Sequence, residues 1–328
     1  MAGGLPAAQF GRILPNLVSP ITRNFEGFID TYPIDTMLLR YSADWRTLAY
    51  MAMTTFVFIA QWTFIGFNPF LYVFYLFLSV AVTVIAHNHN HVPIFNSKLL
   101  NHFTDYWLTV FYGFPSFAWI PTHNMNHHRL NNKEGDYTIT YRITEQNTLL
   151  MLLFYPMMSS YYQQKPIRDY LGKLWRGNKK KWALAFGQYF FLFAWIGAFL
   201  ILDWKKALLY VIIPQQVGLF AVLVFNYVQH VHADEESPYN HSRNFTGWLN
   251  VLLFNNGFHT VHHDKAVSHW SKSPELHKSV ADKIDPSLIE RSFWWYILRN
   301  YFLGIFIKKY RTKSLRLQRL ETQHSASK

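Results

Sequence analysis

The chain has 328 residues, is 50% hydrophobic and 19% aromatic, contains no cysteine and carries a formal net charge of +12. Without cysteine, disulfides, thiolate ligands and iron–sulfur clusters are excluded, so any metal must be held by nitrogen and oxygen donors. Such a charge in a soluble protein would raise the question of a nucleic-acid partner, but its placement along the chain points to a membrane and to no nucleic acid.

Residues 1–44 read as a cytoplasmic N-terminal segment without a cleavable leader, because the first apolar run begins only near residue 47. Residues 47–67 are interrupted only by Gln61, and residues 70–86 follow the turn signal Asn68-Pro69, so the two runs form a helical hairpin. At its end stands AHNHNHVP, with His87 and His91 one turn apart on one helical face. Residues 106–120 are too short to span and hold Gly113 and Pro115, which suits a re-entrant or interfacial helix. PTHNMNHHRL then supplies His123, His127 and His128, and residues 149–158 read as a second interfacial stretch.

A second hairpin follows, from residues 182–202, interrupted only by Gln188, and residues 207–225. Pro214, Gln215 and Gln216 within its last run either border a tunnel for an apolar chain or pack helices, with the glutamines bonded across them. NYVQHVHADEE sets Asn226 and His230 one turn apart, and NNGFHTVHHDKAVSHW holds four histidines within eleven positions. On a helix, His259, His262 and His263 of that stretch converge on one point. Residues 292–310 combine aromatics with trailing lysines, as a membrane surface requires, and the polar tail from about residue 312 reads as mobile.

At about 1.5 Å per residue the four apolar runs measure roughly 26 to 32 Å, the thickness of a bilayer core. All of the 31 Lys and Arg except Lys205 and Lys206 fall on one side if both hairpins cross and return. The positive-inside rule makes that side, with both termini, cytoplasmic. The expected fold is an all-α integral membrane protein, four transmembrane helices in two hairpins with a cytoplasmic helical cap. It forms a single domain over 1–328 with its core at 45–310. The same topology brings every histidine cluster to one face. Neutral imidazoles donate to a metal without adding charge; the plainer reading of any one cluster is a solvated helix end.

The three clusters in this order, HNHNH, HNMNHH and HTVHH, resemble the histidine boxes of the membrane fatty-acid desaturase superfamily. That superfamily includes acyl desaturases, alkane and fatty-acid hydroxylases and related oxidases. The Asn226 and His230 pair is similar to one that its members place between the second and third boxes. The resemblance implies two iron ions held by His87, His91, His123, His127, His128, His230, His259, His262 and His263. Asn226 would act through water, and O2 would be the co-substrate. His89, His232 and His269 are left over, while Glu134, Asp136, Asp234, Glu235 and Asp264 are candidates to orient ring N–H groups. Removing hydrogen from an unactivated C–H bond lies beyond amino-acid acids and bases, so a redox metal is consistent with that chemistry.

No GxG and no HPGG occurs in the sequence, so electrons are expected from a separate donor such as a ferredoxin with its reductase or a cytochrome b5. The basic run RGNKKKW at 176–182 would steer an acidic donor or touch anionic lipid. The substrate is expected to be a fatty acid, acyl-lipid or acyl-carrier. Fatty-acyl desaturation in a bacterial inner membrane is the expected function. Oxidative decarboxylation to a terminal 1-alkene is the alternative, and hydroxylation the third. A metal transporter or heme-binding membrane protein is the non-enzyme alternative, but transporters set their ligands near the midplane, where this chain is nearly free of histidine.

Overall fold

The computed structural model describes residues 38–327. The N-terminal segment read from the sequence at 1–44 lies outside them up to residue 37. Helix α1 (Trp45–Ala60) continues into a π-helical turn, Gln61–Ile65, and stops at Gly66, whose φ of 69° is open to glycine at little cost. Asn68 then caps α2 (Pro69–His91) by accepting from Leu71 N, with proline at the first helical position. Helix α3 (Lys98–Tyr112) is capped by Ser97 and ends on left-handed Gly113. A side chain at 113 would collide with Gln215.

Helix α4 (Leu149–Gly177) is far longer than the stretch 149–158 read from hydropathy. Its second half is polar and is supported by pairs such as Lys165–Asp169 at 2.6 Å, which a hydropathy reading does not see. Helices α5 (Lys179–Ala207) and α6 (Ile213–His230) are joined through a π-helical segment, Leu208–Ile212. Among the described residues, three helical runs are long and apolar enough to cross a membrane: Ser42–Ile65, Pro69–His91 and Lys179–His230. The third, 52 residues long, breaks at Asp203 (φ −163°, ψ 101°), whose carboxylate recaps the chain at Lys205 N and Lys206 N.

Side chains tie the two breaks together. Lys206 Nζ donates to Trp62 O at 2.9 Å, and the Tyr72 and Tyr75 hydroxyls donate to Leu209 O and Tyr210 O. Gly218 lets α6 lie against α2, because a Cβ there would meet Thr83 Cγ2 at 2.9 Å. In lipid, close packing of this kind holds helices together where the hydrophobic effect cannot. The opposite ends of α2 and α6 carry His87, His91 and His230.

Beyond residue 230 the chain forms short helices, among them α7 (His259–Asp264), and one parallel bridge of Asn244–Phe245 with Ile289–Glu290. Trp294, Trp295, Phe302 and Phe306 are exposed, as a membrane surface at 292–310 requires. The tail read as mobile carries a helix, α8 (Leu315–Ala326). Its Arg316 and Arg319 pair with Glu145, Asp234 and Glu235.

Candidate metal centre

The nine histidines singled out from the sequence come together in two groups. His87, His91, His123, His128 and His262 form one, and His127, His230, His259 and His263 the other; in each, the donor atoms lie within 4.8 Å of one another. In the first group the Nε2 atoms of His87, His123, His128 and His262 make a closed square with sides of 2.9 to 3.0 Å. Each Nε2 carries either one proton or one lone pair, so at most two of the four contacts can be hydrogen bonds. A shared cation resolves this: nitrogens about 2.1 Å from a metal and at right angles are about 3.0 Å apart. His91 stands over the square, its ring 4.6 to 5.1 Å from all four, and its buried Nε2 has no protein partner.

The second group is linked by Nε2 contacts from His127 to His230 (3.1 Å), His230 to His259 (3.0 Å) and His259 to His263 (3.2 Å). Each adjacent pair is divided: His128 and His262 belong to the first group, His127 and His263 to the second. The three rings of His259, His262 and His263 therefore do not converge on one point, since neighbours on a helix diverge by about 100°. Residues 120–127 wind as a π-helix. Positions five apart would point about 140° apart on an α-helix, but π winding brings them nearly into line, and so His123 meets His128. Burial first, and then the charge of neighbouring imidazoles, holds His123, His128, His259, His262 and His263 well below the ordinary imidazole value. Their lone pairs are therefore free at neutral pH, and the donor set fits a nitrogen-ligated metal.

The family model for fatty acid desaturases matches residues 60–295. The chain belongs to the fatty acid desaturase family.

A sphingolipid delta(4)-desaturase of Candida albicans (strain SC5314 / ATCC MYA-2876) is 35% identical over 60 residues, covering 17% of this chain and 16% of that protein. No solved structure matches the chain. The match spans about a sixth of that relative's length, and long apolar helices accompany the family match.

The histidines are held from behind. His127 Nδ1 donates to Asp136 Oδ2 at 2.8 Å, His87 Nδ1 to Asn256 Oδ1 at 3.2 Å, and His230 Nδ1 to His241 O at 3.2 Å. Each bond fixes the tautomer that turns Nε2 inward. Asp136 also accepts from Asn132 N, Thr138 N and the Thr138 hydroxyl. Of the other acidic candidates, Asp264 reaches His241 at 3.2 Å, Asp234 and Glu235 bind the arginines of α8, and Glu134 is exposed. His89, His232 and His269 join neither group. His89 lies 3.6 Å from Asp105, His232 meets Thr312 and Glu145 O, and His269 meets Asp44 at 3.1 Å.

A cavity of about 420 Å³ runs from His87, His123 and His259 between α4 and α6. Asn226 lines it and donates to the Tyr155 hydroxyl at 2.6 Å; that hydroxyl in turn donates to Thr138 O at 2.7 Å. Of the α6 residues in doubt, Gln215 is buried and bonds across to Val110 O at 2.7 Å, whereas Gln216 lines the cavity. Sequence reading missed Trp119, stacked on His87 at 4.9 Å, together with Tyr155 and Asn256. Only the spacing of Trp119 from the second histidine cluster hinted at the first, and nothing local marked the other two.

Proposed function

We propose that the protein desaturates a fatty acyl chain with two iron ions and O2, the first ion held by His87, His91, His123, His128 and His262, the second by His127, His230, His259 and His263 with Asn226 through water. The observation that carries this reading is that both groups meet one mostly apolar cavity, through His87 and His123 on one side and His259 on the other. Four crossings in two hairpins, reversing near Gly66 and Asp203, set the site at the cytoplasmic face. A separate ferredoxin or cytochrome b5 supplies electrons.

Bound iron would supply the oxidising power for an unactivated C–H bond. The chain's own residues orient and shield. Trp119 and Phe225 hold an acyl chain against the histidines by apolar contact, and the buried wall excludes bulk water. Asp136, ionised and saturated with donors, fixes His127 and strengthens its Nε2 as a donor.

The test is mass spectrometry of lipids and headspace from cells given deuterated fatty acids and sphingoid lipids, with wild type and His262→Ala compared. Unsaturated chains of unchanged length from wild type, and a drop of more than about a hundredfold in His262→Ala, are expected. A volatile 1-alkene one carbon shorter, or a hydroxylated chain, would replace desaturation with another oxidation.

A further inference from the structure

We infer that α8 is a clasp for the second histidine group, with Arg316 and Arg319 as positioning residues: by joining the segment behind His127 to the segment behind His230, they hold the rings of that group, and not those of the first, in their metal-binding orientation. The inference rests on the reading that each group binds one iron ion. Behind His127, Asp136 accepts from Asn132 N at 2.8 Å, and the Asn132 side chain in turn accepts from Thr140 N at 2.8 Å. The next residue, Tyr141, has its ring beneath the Arg316 guanidinium at 4.0 Å, and Arg316 also pairs with Glu145. Behind His230, the His241 carbonyl belongs to a turn that Asp234 N closes on Asn240 O at 2.8 Å. That turn offers its carboxylates to α8. Arg319 reaches Asp234 Oδ1 at 2.8 Å and Glu235 Oε1 at 2.9 Å, and Arg316 Nε reaches Glu235 Oε1 at 3.0 Å.

Arg316 therefore grips both segments at once, a reach that suits the five-donor fork of a guanidinium. His232 stitches the same seam. Its Nε2 donates to Glu145 O at 2.8 Å, its Nδ1 meets the Thr312 hydroxyl at 2.8 Å, and its own carbonyl accepts from Leu315 N at 3.1 Å. With φ at 63° it lies in the left-handed region, which a non-glycine residue keeps only where its surroundings hold it. An isolated surface ion pair contributes little, but here two arginines share three carboxylates, of which Glu235 is buried. The first group is supported elsewhere: Asn256, behind His87, is bonded to Leu253 and Gln229 and not to α8. Partners behind a ligating imidazole govern metal affinity by fixing its angle and tautomer. The clasp acts one step further back, on the segments that present Asp136 and the His241 carbonyl.

The experiment follows release of ferrous iron from the iron-loaded full chain in lipid nanodiscs to a chromophoric chelator. Arg316→Ala combined with Arg319→Ala should release one equivalent about tenfold faster and leave the other unmoved. Glu145→Gln, which leaves α8 itself intact, should speed the same equivalent about threefold. Asp136→Asn, acting on His127 directly, marks which equivalent belongs to the second group. Salt at about 1 M, where the screening length is about 3 Å, should speed that equivalent in the wild type and have little effect in the double variant. Acceleration of both equivalents alike, of neither, or of the one that Asp136→Asn leaves alone would overturn the inference. Because iron is read without turnover, selective release from a protein that oxidises no lipid would leave the clasp standing and remove the desaturase reading. Oxidised lipid together with unselective release would do the reverse.

Discussion

Two of the protein's histidine–carboxylate pairs look alike and behave in opposite ways. At the metal centre His127 meets Asp136 at 2.8 Å; behind α2, His89 stands 3.6 Å from Asp105. Burial alone would raise both carboxyls. Asp136, however, faces His127 and takes bonds from the Thr138 backbone and hydroxyl, which hold it well below the ordinary carboxylate range. Asp105 has a weaker counterweight in the Ser116 hydroxyl at 3.3 Å, and burial pushes it up to about 7. The number of donors aimed at a carboxylate, more than its depth, decides whether it carries charge.

The largest expected effect comes from breaking the first pair. Asp136→Asn keeps the size of the side chain but removes the charge behind His127. It should lower iron retention in the second group and turnover by about 10- to 100-fold, read by metal analysis beside product formation. Tyr155→Phe acts one step further out. It removes the hydroxyl that anchors the Asn226 amide and should cut turnover severalfold with both irons retained. Loss of iron would show that Tyr155 supports the fold and not the amide.

Asp105→Asn should leave turnover unchanged and alter only the pH profile of stability. An acid whose folded value lies above its unfolded 3.8 binds more protons when folded, so stability falls as pH rises from 3.8 to about 7. The substitution should flatten that fall in a denaturation series over this range. A fall that persists in the variant would assign it to another group.

How far the sequence foretold these features depends on how local their causes are. The histidine pairs and apolar runs are local patterns, and both groups assembled from the residues they named. The meeting of His123 with His128 depends on π winding, which leaves no mark in composition. Asp136 was among the acidic candidates because it follows the second cluster closely, but Asp44 and Asp105 were not, since their partners His269 and His89 are brought near only by tertiary packing. Helix α4 was cut short because its polar half carries a structural and cavity-lining role that hydropathy cannot see.

The divided pairs have a mechanical consequence. His127 and His128, like His262 and His263, are consecutive residues whose Cα atoms are held about 3.8 Å apart by the peptide link. The interval between the two groups is therefore gauged twice by covalent geometry and not by helix packing alone. When lipid thickness or temperature makes the surrounding helices tilt and slide, both centres travel together as though mounted on one ruler, and the gap between them stays fixed.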